Sequence, residues 1–265
     1  MIDLHSHILP GIDDGAKSLD MSLEMAQQAV ADGIHTMACT PHIYPGLYLN
    51  DTCGITHARN ALQAELEVRG IALRLVTGAD VHLVPEVVAG LREGRVPTLN
   101  GSRYVLLEPS HHVAPPRFEE SVFQLVAAGY TPVITHPERL TWIETHYKVF
   151  IQLIRQGAWM QVTASALTGM FGPKAKYWGE KFIGDGYTHL LATDAHSNQR
   201  RIPCLSEGLA VAERLLGKTE AARLVIERPQ AILDDLSPAM VAPLLRGAPR
   251  RGWLKRFWRG PNAYN

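Results

Sequence analysis

His5-Ser6-His7 opens the chain and Asp194-Ala195-His196 stands near its end, and in both places an apolar run stops where ligand-type residues begin. Alternate residues leave a strand end on the same side, so each pair has the spacing to grip one metal ion or to bridge two neighbours. The same event recurs along the chain. The run 34–39 ends on Thr40-Pro41-His42, 72–77 on Gly78-Ala79-Asp80, 104–107 on Glu108, and 131–135 on His136-Pro137-Glu138-Arg139. Only the run 159–163, followed by Ser165, lacks such an ending.

The elements that must position these residues are seven strand-like runs, beginning near residues 1, 34, 72, 104, 131, 159 and 190, each followed by a helical segment. Asp20 reads as the N-cap of a helix through Ala31 closed by Gly33, and Thr56 as the start of one reaching Arg69 and closed by Gly70. Further helices are expected over 118–128, 148–156, 174–182 and 205–216, each before a glycine. Strand and helix in alternation predict parallel β/α units. In a closed barrel of such units the active site lies at the C-terminal ends of the strands, where His5, His7, His42, Asp80, Glu108, His136, Asp194 and His196 all fall. Seven units make a barrel one short of the usual eight.

Composition bounds the rest. A chain of 265 residues, 46% of them hydrophobic, can bury a full core as one α/β domain. With 26 basic and 26 acidic residues it lacks the broad positive surface of a nucleic-acid binder. Cys39, Cys53 and Cys204 are scattered and form no C-x-x-C, which fits a reducing compartment rather than a disulfide framework. No apolar stretch has membrane-spanning length, and ligand-type residues begin at position 5, so a cytoplasmic protein is expected.

The chain resembles the polymerase and histidinol phosphatase (PHP) superfamily, and within it the bacterial metal-dependent protein-tyrosine phosphatases of capsular and exopolysaccharide biosynthesis. The resemblance covers most of the chain. It is carried by His5-Ser6-His7, Asp13-Asp14-Gly15, Pro41-His42, Gly78-Ala79-Asp80, Pro97-Thr98-Leu99-Asn100, Glu108, Thr131-Pro132-Val133-Ile134, His136-Pro137-Glu138-Arg139 and Asp194-Ala195-His196, in the family's order and near its spacing. It implies a distorted (β/α)7 barrel of TIM-barrel type, the PHP fold, holding three divalent metal ions. By position, His5, His7, Asp80 and Asp194 would hold one ion, Asp80, Glu108 and His136 a second, and Asp14, His42 and His196 a third. Mixed imidazole and carboxylate suits manganese or iron first, and zinc or magnesium after them.

Charge arithmetic shows why such a site suits phosphate. Three divalent ions bring six positive charges and Asp14, Asp80, Glu108 and Asp194 remove four, leaving a net positive pocket. A water shared by two ions ionises near neutral pH and becomes the nucleophile. Arg139 and Arg201 match the family's phosphate-binding arginines; for Arg201 the adjacent Arg200 is an alternative. A tyrosine leaves as a phenolate of pKa about 10, so a general acid is less necessary. Glu138 is a candidate acid, or a residue that orients a ligand or pairs with Arg139.

Two departures stand out. Position 80 is usually glutamate in the relatives, and Asp80, one methylene shorter, predicts either a backbone drawn inward or one weakly held ion. The loop His111-His112-Val113-Ala114-Pro115-Pro116 lies just past Glu108, and its histidines either line the substrate mouth or are solvent-exposed on a proline-stiffened loop. His35, His57, His82, His146 and His189 have no matching partner and read as structural or surface residues.

Residues 1–245 are expected to form the barrel and 246–265 a separate tail. From Arg246 to Arg259 the tail carries six basic residues and no acidic one, interleaved with Trp253, Leu254, Phe257 and Trp258. That pattern reads either as an interfacial membrane element or as a disordered basic segment. The resemblance implies a phosphotyrosine-containing protein as substrate, namely a membrane-bound tyrosine kinase, with phosphate as product, and a cytoplasmic enzyme that could sit at the inner membrane face. Alternatives from the same residues are a PHP phosphoesterase of a small metabolite such as histidinol phosphate or of a nucleotide, and a non-catalytic metal-binding regulator.

Overall fold

The apolar runs fold as parallel strands buried on both faces, and the computed structural model describes them within residues 1–245, leaving the tail 246–265 outside the described residues. In chain order the elements are β1 (Ile2–Ser6), α1 (Leu19–Ala31), β2 (Thr36–Cys39), β3 (His42–Tyr44), β4 (Tyr48–Leu49) and α2 (Thr52–Val68). They continue as β5 (Arg74–Thr77), β6 (Asp80–His82), α3 (Val87–Arg92), β7 (Tyr104–Glu108), α4 (Phe118–Ala127), β8 (Thr131–Thr135) and α5 (Ile143–Arg155). The last are β9 (Trp159–Thr163), α6 (Ala164–Thr168), α7 (Gly172–Gly184), β10 (Leu190–Ala192), α8 (Ser206–Leu216), α9 (Lys218–Arg223) and α10 (Glu227–Leu233).

Two of the seven expected strands are each split in two. The ladder runs β1-β2-β5 in one sheet and β10-β9-β8-β7-β6-β3 in the other, all parallel, with β4 a short antiparallel addition to β3. The breaks, at Thr40-Pro41 and Gly78-Ala79, lie side by side: Gly78 N donates to Cys39 O at 3.0 Å and Asp80 N to Pro41 O at 3.2 Å. Pro41 has no N–H for the ladder. A Cβ on Gly78 would come within 2.9 Å of Leu99 Cδ2 and 3.0 Å of Thr40 Cγ2, so only glycine fits without displacement.

Counting β2/β3 and β5/β6 as one stave each gives the seven-unit barrel. Its seam between β10 and β1 is a single bridge, Ser6 to Ala195, rather than a ladder. Asp194 N donates to His5 O at 2.9 Å, His7 N to Ala195 O at 2.8 Å, and Thr193 N to the Asp3 carboxylate at 3.0 Å.

Alternation sorts the side chains. Ile2, Leu4, Ala38, Val76, Tyr104, Leu106, Val133, Trp159 and Leu190 pack in one cluster with Ile232 and Leu233 of α10, which places α10 against the barrel interior. The residues between them, such as Met37, Leu75, Val105, Leu107, Ile134, Met160 and Leu191, pack in a second cluster with the helices. A barrel interior filled this way is a packed core and not a pore.

Helix starts differ from those expected. Ser18, not Asp20, caps α1, its hydroxyl accepting from Met21 N at 3.3 Å, while Asp20 sits in the first turn where a carboxylate favours the helix dipole. Asp51, not Thr56, caps α2 by accepting from Gly54 N at 2.8 Å; the weak formers Thr52, Cys53 and Gly54 hid the first turn. Helix α5 begins at Ile143 rather than 148, without a side-chain cap to announce it.

Candidate metal centre

Strand parity carries the inward series to the rim. Residues 38, 40 and 42 place His42 inward, 76, 78 and 80 place Asp80, 104, 106 and 108 place Glu108, and 190, 192 and 194 place Asp194. Two strand ends break parity and are corrected locally. In β1 the inward Leu4 would turn His5 away, but the pairing register shifts between Asp3 and Ser6, and His5 and His7 then face the site. After β8, His136 takes a left-handed backbone with φ +35°, which re-aims its ring; Asp194, at φ +51°, is left-handed as well. Non-glycine residues held in that region cost energy and concentrate at functional sites.

All nine expected ligands come together. His5 Nε2 lies 3.4 Å from Asp80 Oδ2 and 3.3 Å from Asp194 Oδ1, and His7 Nε2 is also 3.3 Å from Asp194 Oδ1. His42 Nε2 and His196 Nε2 both stand 3.4 Å from Asp14 Oδ1. Glu108 Oε1 is 3.6 Å from His136 Nε2. These separations are long for hydrogen bonds but right for donors sharing an ion, since two atoms each about 2.1 Å from one tetrahedral ion stand roughly 3.4 Å apart. The grouping differs in part from that expected. His7 joins Asp14, His42 and His196; Asp80 and Glu108 group with His42; and Glu108 and His136 group with His111, the donor atoms of each group lying within 4.8 Å of one another.

Second partners fix three of the rings. His5 Nδ1 bonds Gln161 Oε1 at 2.9 Å, His7 Nδ1 donates to Asp13 Oδ2 at 2.7 Å, and His196 Nδ1 donates to Asp194 O at 2.9 Å. With Nδ1 as donor, each ring presents a bare Nε2 to the cluster, the arrangement that orients metal-bound imidazole. Gly15 makes room for the Asp13-Asp14 turn, because a Cβ there would stand 2.1 Å from His7 O. Neither Asp13 nor Gln161 was singled out as a positioning residue from the sequence. Asp13 belongs to the Asp13-Asp14-Gly15 motif, but its bond to His7 appears only once the loop folds back.

The electrostatics call for a cation. Burial opposes ionisation of Asp80 and Asp194, yet the histidines around Asp80, and Arg201 with the histidines around Asp194, hold both well below the usual carboxylate range. Burial and Asp80 push Glu108 up, but the bond from His111 and the nearby His82 ring prevail and leave it at about 2. Burial and the Arg139 charge bring His136 down to about 3, and burial with the His7 charge brings His196 to about 4, so both rings are neutral electron-pair donors at pH 7. Buried Asp80 Oδ2, His42 Nδ1 and His136 Nδ1 have no hydrogen-bond partner. Ionised carboxylates, the neutral rings of His136 and His196, and unpartnered polar atoms in one largely buried cluster fit divalent metal ions.

Beside the cluster, Arg139 Nη1 and Arg201 Nη2 both donate to Asp194 Oδ2. Phe171 lies under both guanidiniums, 4.4 Å and 5.7 Å from ring centre to Cζ, a buttress with no sequence signal. Arg200 has no such contact among those described; its backbone N–H donates to Ser197 Oγ. A cavity of about 360 Å³ opens here, lined by His111, Glu138, Arg139, Leu140, Thr141, Phe171, Lys174 and Ala175. A larger one, about 710 Å³, lies between α2 and β5 and contains none of the cluster, so size does not locate the chemistry. Glu138 neither pairs with Arg139 nor reaches a ligand. Its buried carboxylate accepts from Thr163 N at 2.9 Å, and burial raises it to about 7.

The family profile described as capsular polysaccharide synthesis, CpsB/CapC, matches residues 1–234. This chain belongs to the CpsB/CapC family. The tyrosine-protein phosphatase YwqE of Bacillus subtilis (strain 168) is 35% identical over 237 residues, 89% of this chain and 92% of that protein. The tyrosine-protein phosphatase CpsB of Streptococcus pneumoniae is 29% identical over 242 residues, 89% and 99% respectively. A crystal structure from work on YwqE and CpsB, described as unique metal-dependent tyrosine phosphatases, superposes with TM-score 0.87 at 31% identity, covering 95% of this chain and 100% of that one. The histidinol phosphate phosphatase of Lactococcus lactis, at 13% identity, TM-score 0.53 and coverage of 80% and 93%, shares the fold. The CpsB/CapC assignment thus agrees with the PHP barrel drawn from the sequence.

Proposed function

We propose that this CpsB/CapC protein is a metal-dependent protein-tyrosine phosphatase whose substrate is a tyrosine kinase of polysaccharide export. The observation that carries the reading is the cluster of five histidines and four carboxylates, buried except at Asp14 and the rim residue His42, flanked by two arginines stacked on Phe171. His5, His7, Asp14, His42, Asp80, Glu108, His136, Asp194 and His196 would hold up to three divalent ions, manganese or iron before zinc or magnesium. Such ions supply Lewis acidity and a nucleophilic water at neutral pH.

The chain's own residues do the rest. Arg139 and Arg201 present forked donors suited to phosphate oxygens, and Phe171 holds both forks at the cavity wall. Leu140, Phe171 and Ala175 give that cavity an apolar side for an aryl ring, and Lys174 adds positive charge. No residue need protonate a phenolate leaving group, which agrees with Glu138 being turned to Thr163 N. Asp13 changes the charge arithmetic: five carboxylates against three divalent ions leave one positive charge, so the two arginines supply most of the attraction for a phosphate dianion.

No helix among the described residues is long and apolar enough to cross a membrane. We place the enzyme in the cytoplasm, with the basic tail in weak contact with the anionic inner face where a membrane-bound kinase would present its phosphotyrosines. The test is hydrolysis of a phosphotyrosine peptide against histidinol phosphate with manganese added. Metal-dependent turnover that favours the peptide and is lost in His136→Ala is expected; preference for histidinol phosphate overturns the substrate class, and activity untouched by His136→Ala overturns the site.

A further inference from the structure

For the second ion of the expected triad, Asp80 is the most distant donor from His136. Asp80 Oδ2 lies 3.4 Å from His5 Nε2 and 3.5 Å from His42 Nδ1 but 3.9 Å from His136 Nε2, so the short aspartate leans away from the Glu108–His136 pair. Two donors alone hold an ion poorly, and even catalytic sites keep about three protein ligands. His111 stands where the third is wanted. Its Nε2 is 3.2 Å from Glu108 Oε1, its ring is 4.8 Å from that of His136, and the three residues offer donor atoms within 4.8 Å of one another.

The loop is built to hold it there. His111 O accepts from Thr141 N at 2.9 Å and from Thr141 Oγ1 at 3.1 Å, and the preceding Ser110 O accepts from Trp142 Nε1 at 2.9 Å. Trp142 is itself buried against Phe118 and Phe150. A surface histidine would need none of this anchoring.

We propose that His111 is a ligand of the metal ion held by Glu108 and His136, supplementing Asp80, which approaches His136 only to 3.9 Å. The assignment rests on the metal-dependent reading above. It also places a metal ligand in the wall of the 360 Å³ cavity, so that ion would border the bound substrate.

The test uses the full chain, stripped of metal and reloaded with cobalt(II), as parent, His111→Gln and His111→Cys. Cobalt per chain is measured after gel filtration, and the near-ultraviolet spectrum is recorded. His111→Gln is expected to bind the weakest of the parent's ions about tenfold less tightly or worse. His111→Cys is expected to show a thiolate-to-cobalt charge-transfer band absent from the parent, whose own cysteines, Cys39, Cys53 and Cys204, serve as the internal control. The band decides: its absence in a folded His111→Cys that retains cobalt overturns direct ligation, even if His111→Gln loses metal through the lost bond to Glu108. A parent that binds no cobalt overturns the phosphatase reading as well, whereas a parent that binds it beside indistinguishable variants overturns His111 alone.

Discussion

Asp13 controls how His7 stands, through one bond of 2.7 Å from His7 Nδ1. Burial would keep that ring neutral, but Asp13 and Asp194 push it up to about 10, which shows how strongly the surroundings favour positive charge at this point. Asp13→Asn removes the charge but keeps an oxygen, and metal affinity should fall about ten- to hundredfold in a manganese titration, with the circular dichroism spectrum unchanged. At the arginines, the forked geometry rather than the charge is what matters. Arg139→Lys should therefore lower kcat/KM for a phosphotyrosine peptide about a hundredfold, as loss of an oriented donor does elsewhere, while leaving metal content intact. Eight of the nine ligand candidates were legible because each follows an apolar run; Asp14 follows none and enters only through the family motif Asp13-Asp14-Gly15. Asp13, Gln161 and Phe171 were not: Asp13 meets His7 only because the loop between them folds back, Gln161 to His5 spans 156 positions, and Phe171 reaches two arginines on other loops.

Among elements, the strands were the readable part, because an apolar run buried on both faces has few other ways to fold. Their interruptions were not readable. Pro41 and Gly78 looked like the ends of strands, whereas each is a hinge beyond which β3 and β6 resume and carry His42 and Asp80. Short α9 and α10 carry no such apolar run, yet Arg228 of α10 donates to Glu220 of α9 at 2.5 Å, both side chains buried, and so ties α9 to the helix that packs against the barrel's inner cluster. Packing of α8 on α6 relies on one missing side chain: a Cβ on Gly208 would stand 2.7 Å from Ala164 Cα. Backbone cannot yield as a flexible side chain can. Gly208→Ala should destabilise the fold by about 1–3 kcal/mol, read from urea unfolding monitored by tryptophan fluorescence.

At the scale of the molecule, acid should weaken the fold through His189, far from the metal cluster. This ring is buried, stacks on Trp159 and accepts from Met160 N at 3.0 Å; burial and then the Arg228 charge lower it to about 3. Unfolded, it takes a proton near pH 6.5, so the unfolded chain binds more protons below that pH and stability falls from there toward about pH 3. Between pH 7 and pH 5 the parent should lose about 2 kcal/mol more than His189→Gln, measured by urea unfolding at both values. Metal acts on the whole molecule too: chelation should lower Tm by roughly 5–10 °C for each ion that had been held at about a hundred times its Kd. Truncation after Leu245 should abolish binding to anionic vesicles and leave peptide turnover unchanged; vesicle binding that persists removes the tail from the proposal. The barrel was legible as a whole, and its seam was the least regular part, one bridge supported by His5, His7, Ala195 and Asp194. That seam has a consequence for how the protein is made. Its partners are separated by almost two hundred positions, so a chain emerging from the ribosome holds His5 and His7 bare until β10 has left the exit tunnel, and every shorter product of interrupted synthesis is without Asp194 and His196.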